Sequence, residues 1–313
     1  MQSRLNYNDA QILAPMVRVT TLPFRLTCYD YECDIGYSEE LIDHGLLKCQ
    51  RVDIDDYTIY KQPNGKPVFT TVRSEKDKLV VQIGSKDGAR AAKGLLPIAD
   101  TFSEVNLNLG CPAPPNIKSG IGCALASKPE AAADVIKTLN RALNMPVSAK
   151  IRIQGTRQET QTLVDNLIKA GVCCLTVHGR TQEQKGRDKA DWEEIGFALE
   201  IAQRAGIPTV ANGSIASQED VVKVKEVTKA EGVMIGRAAM MNCSVFRREG
   251  LVDEVDVTKR FLQHAEDSKN KEATRSASHK YILTHLMSTH KKVIQRVQAA
   301  KTFDEISSVL NGV

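Results

Sequence analysis

The chain has 313 residues, of which 42% are hydrophobic, and its 42 Lys and Arg against 38 Asp and Glu leave a formal charge of +4. That length can bury one large core with a small appendage, and that charge is too small to argue for a polyanionic partner on its own. With no run of about 18 apolar residues, no apolar centre in the opening MQSRLNYNDAQ and no C-x-x-C pair or zinc-spaced histidine among eight cysteines, a cytoplasmic protein with free thiols, no membrane contact and no metal is expected.

In chain order, short apolar runs alternate with amphipathic stretches. QILAPM (11–16), IGYSEEL (35–41), LVVQIG (79–84), VNLNLG (105–110), PVSAKIRI (146–153), CCLTVHGR (173–180), PTVANGS (208–214) and GVMIGR (232–237) read as eight strands. Residues 53–72 read as an excursion, with Asn64-Gly65 as a hairpin turn between two β-rich runs. Helical patterns run from Pro129 to Arg141, Glu159 to Ala170, Trp192 to Ala205 and Ser217 to Val227, opening on Ser, Pro or Asp and closing before Gly as caps require. Eight such alternations predict an α/β fold of the (β/α)8 TIM-barrel type, whose chemistry sits on loops at the strands' carboxyl ends. A doubly wound sheet is the competing architecture, but Val17-Arg18-Val19-Thr20 after the first run has no glycine to make a phosphate loop.

After Phe246 no further strand is convincing. Residues 246–313 read as a small all-helical domain behind a catalytic barrel of residues 1–245, with Ile282, Leu286, Val293 and Val297 on one helical stripe. Between 269 and 301 eight cations, Lys269, Lys271, Arg275, Lys280, Lys291, Lys292, Arg296 and Lys301, face the single anion Glu272. This segment is either a solvated basic face or a nucleic-acid contact surface.

The strand ends carry the functional signal. Asn212-Gly213-Ser214 and Gly236-Arg237 close the last two strands with backbone amides, a hydroxyl and a guanidinium, which suits a barrel phosphate site. Gln82 can address a pyrimidine-like ring edge, and Lys150 and His178 can place positive charge or donors beside a ring that becomes anionic, as a flavin requires. The strand VNLNLG alternates Val105, Leu107 and Leu109 with polar residues, the period of a half-buried strand, and ends on Cys111, pinned between Gly110 and Pro112 and followed by a loop that contains GIG at 120–122.

The set APMVR (14–18), SEELID (38–43), VQIG (81–84), NLGCP (108–112), KIRI (150–153), VHGRT (177–181), ANGSI (211–215) and GVMIGRAAM (232–240) resembles the tRNA-dihydrouridine synthases, and residues 14–43 resemble the eukaryotic class acting on uridine 20 of the D-loop. The resemblance implies FMN as cofactor, held by Pro15, Met16, Val17, Gln82, Lys150, His178, Asn212, Gly213, Ser214, Gly236 and Arg237, and NADPH as reductant. It implies tRNA as substrate, for which Arg180 and, from the charge imbalance of the basic segment, Lys280, Lys291, Lys292 and Arg296 are the expected contacts, and a monomer is expected. Reduction of the uracil C5=C6 bond needs a hydride at C6 and a proton at C5; a protonated thiol can supply the latter, which makes Cys111 the proton donor, with Asn108 upstream on the same strand set to hydrogen-bond the uracil edge. Where the family commonly has Lys after Cys-Pro, this chain has Ala113-Pro114-Pro115, with Lys118 further on. The animal members' double-stranded-RNA-binding module has no counterpart within these 313 residues. The rival readings are a small-molecule FMN oxidoreductase of the dihydroorotate or dihydropyrimidine dehydrogenase type, and a non-catalytic RNA-binding barrel.

Overall fold

The computed structural model describes residues 2–267 and 276–310. Along the chain run β1 (Gln11–Leu13), β2 (Ile35–Tyr37), β3 (Leu41–Ile42), β4 (Gln50–Ile54), β5 (Tyr57–Lys61), β6 (Pro67–Val72), β7 (Leu79–Gly84), β8 (Glu104–Leu109), β9 (Val147–Arg152), β10 (Leu175–His178), β11 (Thr209–Asn212) and β12 (Gly232–Ile235). Eight of them close into a ring in the order β2-β1-β12-β11-β10-β9-β8-β7, with β7 pairing back onto β2 and every pairing parallel. This is a TIM barrel, and its strands fall on the eight runs expected from the sequence. The crossover helices are capped as their sequences require: Thr156 and Glu159 form a capping box on Arg157–Lys169, while Asp191 and Ser217 cap Trp192–Arg204 and Gln218–Thr228.

Three details differ from the sequence expectation. The alternation in β8 marks two buried faces rather than one wet face. Val105, Leu107 and Leu109 pack in the large hydrophobic core, and Glu104, Asn106 and Asn108 are buried as well. A barrel interior tolerates these polar residues because they bond one another: Gln82 Nε2 donates to Asn106 Oδ1 (2.9 Å), Asn106 Nδ2 donates to Ser148 Oγ (3.0 Å), and Tyr7 Oη donates to Glu104 Oε1 (2.7 Å). The excursion is a three-stranded antiparallel sheet, β4-β5-β6, that begins at Gln50 rather than 53. It is fixed to the barrel by the buried Arg25–Glu75 pair (2.6 Å) and by the bond from Tyr60 Oη to the Gly94 carbonyl (3.2 Å).

The third difference lies in the C-terminal region, where the long basic stripe is split into helices Ser276–Leu286 and Lys291–Ala299. Ser288, Thr289 and His290 are weak helix formers, and Thr289 and His290 are both bonded to Glu254 instead. The spacing still serves packing, since Ile282, Leu286 and Val297 remain buried. These helices pack onto the barrel. Helix Glu254–Glu266 lies on Leu22–Asp30, where Arg260 Nε and His264 Nε2 both meet Asp30 (2.5 and 2.6 Å), and Arg18 stacks over the Tyr281 ring at 4.7 Å.

Candidate active site at the barrel mouth

At the carboxyl ends of the strands opens a cavity of about 1210 Å³. It collects the barrel residues assigned from the sequence to cofactor, catalysis or substrate: Pro15, Met16 and Val17 after β1, Gln82 of β7, Asn108 and Cys111 of the β8 end, Lys150 of β9, His178 and Arg180 of the β10 end, Asn212, Gly213 and Ser214 after β11, and Gly236 and Arg237 after β12; Lys118 and the glycines of GIG lie outside its lining. Residues far apart in sequence meet because parallel strands all deliver their carboxyl ends to one rim.

The Cys111 turn is built by its neighbours. Asn108 Oδ1 accepts from the Gly110 and Cys111 amides (3.0 and 3.1 Å), an Asx-type turn that ends the strand. The following loop folds back, so that the Cys123 amide donates to the Cys111 carbonyl at 3.1 Å. Gly122 makes that possible: its φ is +63°, and a Cβ there would stand 2.5 Å from the Cys111 oxygen. Pro114 is the first residue of a helix, Pro114–Ser119, so the Ala113-Pro114-Pro115 run starts a helix. Asn108 thus has its carbonyl committed to the turn and fixes the thiol's position from below, while it also lines the cavity.

Positive charge dominates the lining: Lys150, Arg152, Arg180, Lys189 and Arg237 against Glu40 and Asp220. Burial, then the adjacent Arg152, push the Lys150 ammonium down to about 7. No protein partner for its Nζ exists among the described residues. Burial first, and the surrounding Lys150, Arg152, Arg180 and Arg237 next, hold His178 neutral, and its Nδ1 is buried without a hydrogen-bond partner. Gln82 has its amide nitrogen tied to Asn106, which leaves its carbonyl oxygen as the free acceptor. Burial raises the Cys111 thiol above its ordinary value, and Glu40 adds to the shift.

Several site residues also brace the rim. Arg180 donates to the Asp188 carbonyl (2.6 Å) and Ser214 Oγ (3.0 Å) and lies 3.3 Å from His178 Nε2, while Asn212 Nδ2 donates to the Met234 carbonyl (2.7 Å). Gly213 has φ +115°, and a Cβ on it would lie 2.8 Å from Ala190 and 3.3 Å from His178. Arg237 reaches the Gly186 carbonyl at 2.6 Å.

The sequence profile of the dihydrouridine synthase (Dus) family matches residues 12–311. The chain belongs to that family. A Schizosaccharomyces pombe protein named tRNA-dihydrouridine(20) synthase is 30% identical over 96% of this chain and 65% of its own length, and a Saccharomyces cerevisiae protein of the same name is 29% identical over 98% of this chain and 84% of its own. The chain therefore spans just under two thirds of the first of these relatives. Among solved structures, that of Eimeria tenella DHODH in complex with ferulenol superposes with a TM-score of 0.50 at 12% identity over 82% of each chain, which is a likeness of fold.

Two cavity residues of this dihydrouridine synthase family member escape a strand-end reading. Arg152 lines the cavity and ties the Gly110 carbonyl (2.8 Å) to the Thr181 carbonyl (2.7 Å), bridging the β8 and β10 ends. It lies two residues beyond Lys150 on the same strand, so the period of two could have flagged it. Glu40 lines the cavity from the SEELID stretch. Of the basic C-terminal residues, Lys291 and Lys292 are exposed on one short helix with Arg296, whereas Lys280 turns its ammonium onto the Gln298 and Ala300 carbonyls at that helix's end. Lys269, Lys271 and Arg275 lie outside the described residues.

Proposed function

We propose that this chain reduces the C5=C6 bond of uridine 20 in the tRNA D-loop to dihydrouridine, with FMN as cofactor, NADPH as reductant and Cys111 as the proton donor. The observation that carries the reading is the Cys111 turn: a thiol kept protonated by burial and by Glu40, locked by Asn108 and Gly122, on the rim of a cationic cavity. The names of the two yeast relatives, both specifying position 20 and NAD(P)+, support the substrate and the reductant.

The residues present fit a flavin mononucleotide. Its volume and that of one base fall within about 1210 Å³, above the roughly 300–1,000 Å³ of most small-ligand sites. Lys150, enclosed and without a protein partner among the described residues, and the orphaned Nδ1 of His178 are polar groups in search of a partner. Gln82 offers a fixed carbonyl oxygen to a ring N–H, and Arg237 with the Gly213-Ser214 turn offers charge and polar groups to a phosphate. Bound FMN would supply the hydride that arrives at C6. The protein's part is to hold the extruded base, exclude water and deliver a proton. The uracil must leave its stack to enter the cavity, and the Cys111 Sγ–H transfers its proton to C5. Lys150 and Arg152 stabilise the thiolate left behind, since both lower the Cys111 pKa.

The barrel, residues 1–245, carries the chemistry, and residues 246–313 hold the tRNA backbone through Lys291, Lys292 and Arg296. The bond of Arg260 and His264 to Asp30 and the stacking of Arg18 on Tyr281 keep that helical face at a fixed place relative to the cavity. The deciding experiment incubates unmodified tRNA with protein and NADPH and follows it by mass spectrometry. A gain of two hydrogens at position 20 is expected; gain of two hydrogens on free orotate or uracil with unchanged tRNA would overturn the reading.

A further inference from the structure

Glu40 stands just ahead of β3, on the wall of the cavity, half-buried. Both of its carboxylate oxygens accept from Asn116 Nδ2, at 2.9 and 2.8 Å. Asn108 precedes Cys111 on β8 and holds the Cys111 amide; Asn116 follows it in the helix Pro114–Ser119. The carboxylate therefore holds the chain that leaves the thiol, while Asn108 holds the chain that enters it. The space for it is specific: a Cβ on Gly84 would lie 2.3 Å from Glu40 Oε1, so the glycine of VQIG leaves the room the carboxylate occupies. The proline pair that follows Ala113, where the family usually has lysine, starts the helix that turns Asn116 back towards Glu40.

We propose that Glu40 is a positioning residue for Cys111, anchoring through Asn116 the loop that leaves the thiol and setting a negative charge on the same cavity wall. The groups facing the thiol are Glu40 from the β3 side, Lys150 and Arg152 from β9, and Cys123 from the returning loop. Burial and Glu40 favour the neutral thiol, while Arg152, Lys150 and the Ala113 backbone favour the thiolate. At the thiol Glu40 is thereby a carboxylate that opposes Arg152 and Lys150, and its own carboxyl is raised by burial and drawn back down by its bond from Asn116. Without it the thiol would ionise at lower pH and the loop would lose its anchor. The catalytic consequence rests on the proposed role of Cys111 as acid; the clamp itself does not.

The test uses the flavin-loaded protein and two readouts. The first is iodoacetamide alkylation of Cys111, followed on its own peptide by mass spectrometry between about pH 6 and 10. In Glu40→Gln the midpoint should fall by on the order of one pH unit, because a like charge beside the forming thiolate is gone. The second readout is rapid mixing: NADPH should reduce the flavin of Glu40→Gln at the wild-type rate, while reoxidation by tRNA slows by about tenfold to a hundredfold. Asn116→Ala keeps the charge and loosens the loop, so its midpoint should stay near wild type while Cys111 alkylates faster. An unchanged midpoint in Glu40→Gln overturns the proposal, and if that variant fails to fold, unchanged alkylation in Asn116→Ala does so. A lowered midpoint with undiminished uridine reduction supports the clamp and instead removes Cys111 from the acid role.

Discussion

At the scale of single residues, Cys111 and Lys150 make opposite demands on their surroundings. In the acid role proposed for it the thiol has to stay protonated until the base arrives, and burial and Glu40 both raise its pKa. In Cys111→Ala, binding of the flavin and its reduction by NADPH should stay near normal while reoxidation by tRNA slows by roughly a hundredfold or more, the usual scale for a positioned general acid. Rapid-mixing absorbance separates the two steps, and equal loss in both would mean that the cysteine only packs the turn. Lys150 is instead a cation held where it is costly, pushed down to about 7 by burial and Arg152. Its folded-state pKa lies below the unfolded value, so between about pH 7 and 10.4 the unfolded chain binds more protons and this group's contribution to stability rises with pH. With the cofactor stripped, Lys150→Met should melt higher than wild type near pH 7, and the gap should close towards pH 10. A constant gap across that range would show that the ammonium is not disfavoured there. Both residues are legible in the sequence as strand-end polar groups that no core would want. Glu40 is not, because the role proposed for it depends on Asn116 coming to it from the loop after another strand, and a lone carboxylate after a short strand carries no such mark.

At the scale of elements, the barrel strands are legible because period-two apolar runs recur with capped helices between them. What period cannot tell is which polar face is wet: Asn106 and Glu104 alternate as solvent residues would, yet lie inside the barrel. β4 escapes a reading of period because Gln50–Ile54 is an edge strand of mixed polarity, QRVDI, paired on one side only. The basic stripe reads as continuous because the apolar spacing runs on through Ser288, Thr289 and His290, where bonding of Thr289 and His290 to Glu254 breaks it. Among the described residues, helix Lys291–Ala299 carries Lys291, Lys292 and Arg296 on its exposed side, while Lys280 is turned onto its end. Neutralising those three helix residues should weaken tRNA binding and flatten the slope of log K against log salt by about 0.7 to 0.9 for each phosphate left unneutralised, whereas Lys280→Met should act mainly through helix stability. Filter binding over a salt series checks this, and a triple variant with wild-type affinity and slope would place the RNA on another face.

At the scale of the whole molecule, three parts separate in sequence converge on the loop after β1. Arg25 makes the junction: its Nη2 and Nε meet both oxygens of Glu75 (2.6 and 2.9 Å), Nη2 also reaches the Thr70 carbonyl (2.8 Å) on the β4-β5-β6 sheet, and Nη1 donates to the Thr20 carbonyl (2.8 Å). Thr20 Oγ1 in turn accepts from the Met16 amide at 3.2 Å, at the cavity wall, and the neighbouring Arg18 stacks on Tyr281 of the C-terminal helices. Arg25 and Glu75 are 2% and 0% exposed, so neither charge has water to fall back on. Removing one partner should therefore cost about 3 to 5 kcal/mol, far beyond a surface pair, because the other is left buried and uncompensated. Arg25→Leu should show that loss in urea unfolding and should also release flavin more readily, through the Thr20 to Met16 link. The double variant Arg25→Leu with Glu75→Leu should cost less than the sum of the two single changes, since it leaves no orphaned charge; the carbonyls of Thr20 and Thr70 then set the residual penalty. Additive losses would mean that the pair is incidental and that the two sites are held by packing alone. A loss in Arg25→Leu below about 1 kcal/mol would show that the sheet and the β1 loop are joined to the barrel elsewhere.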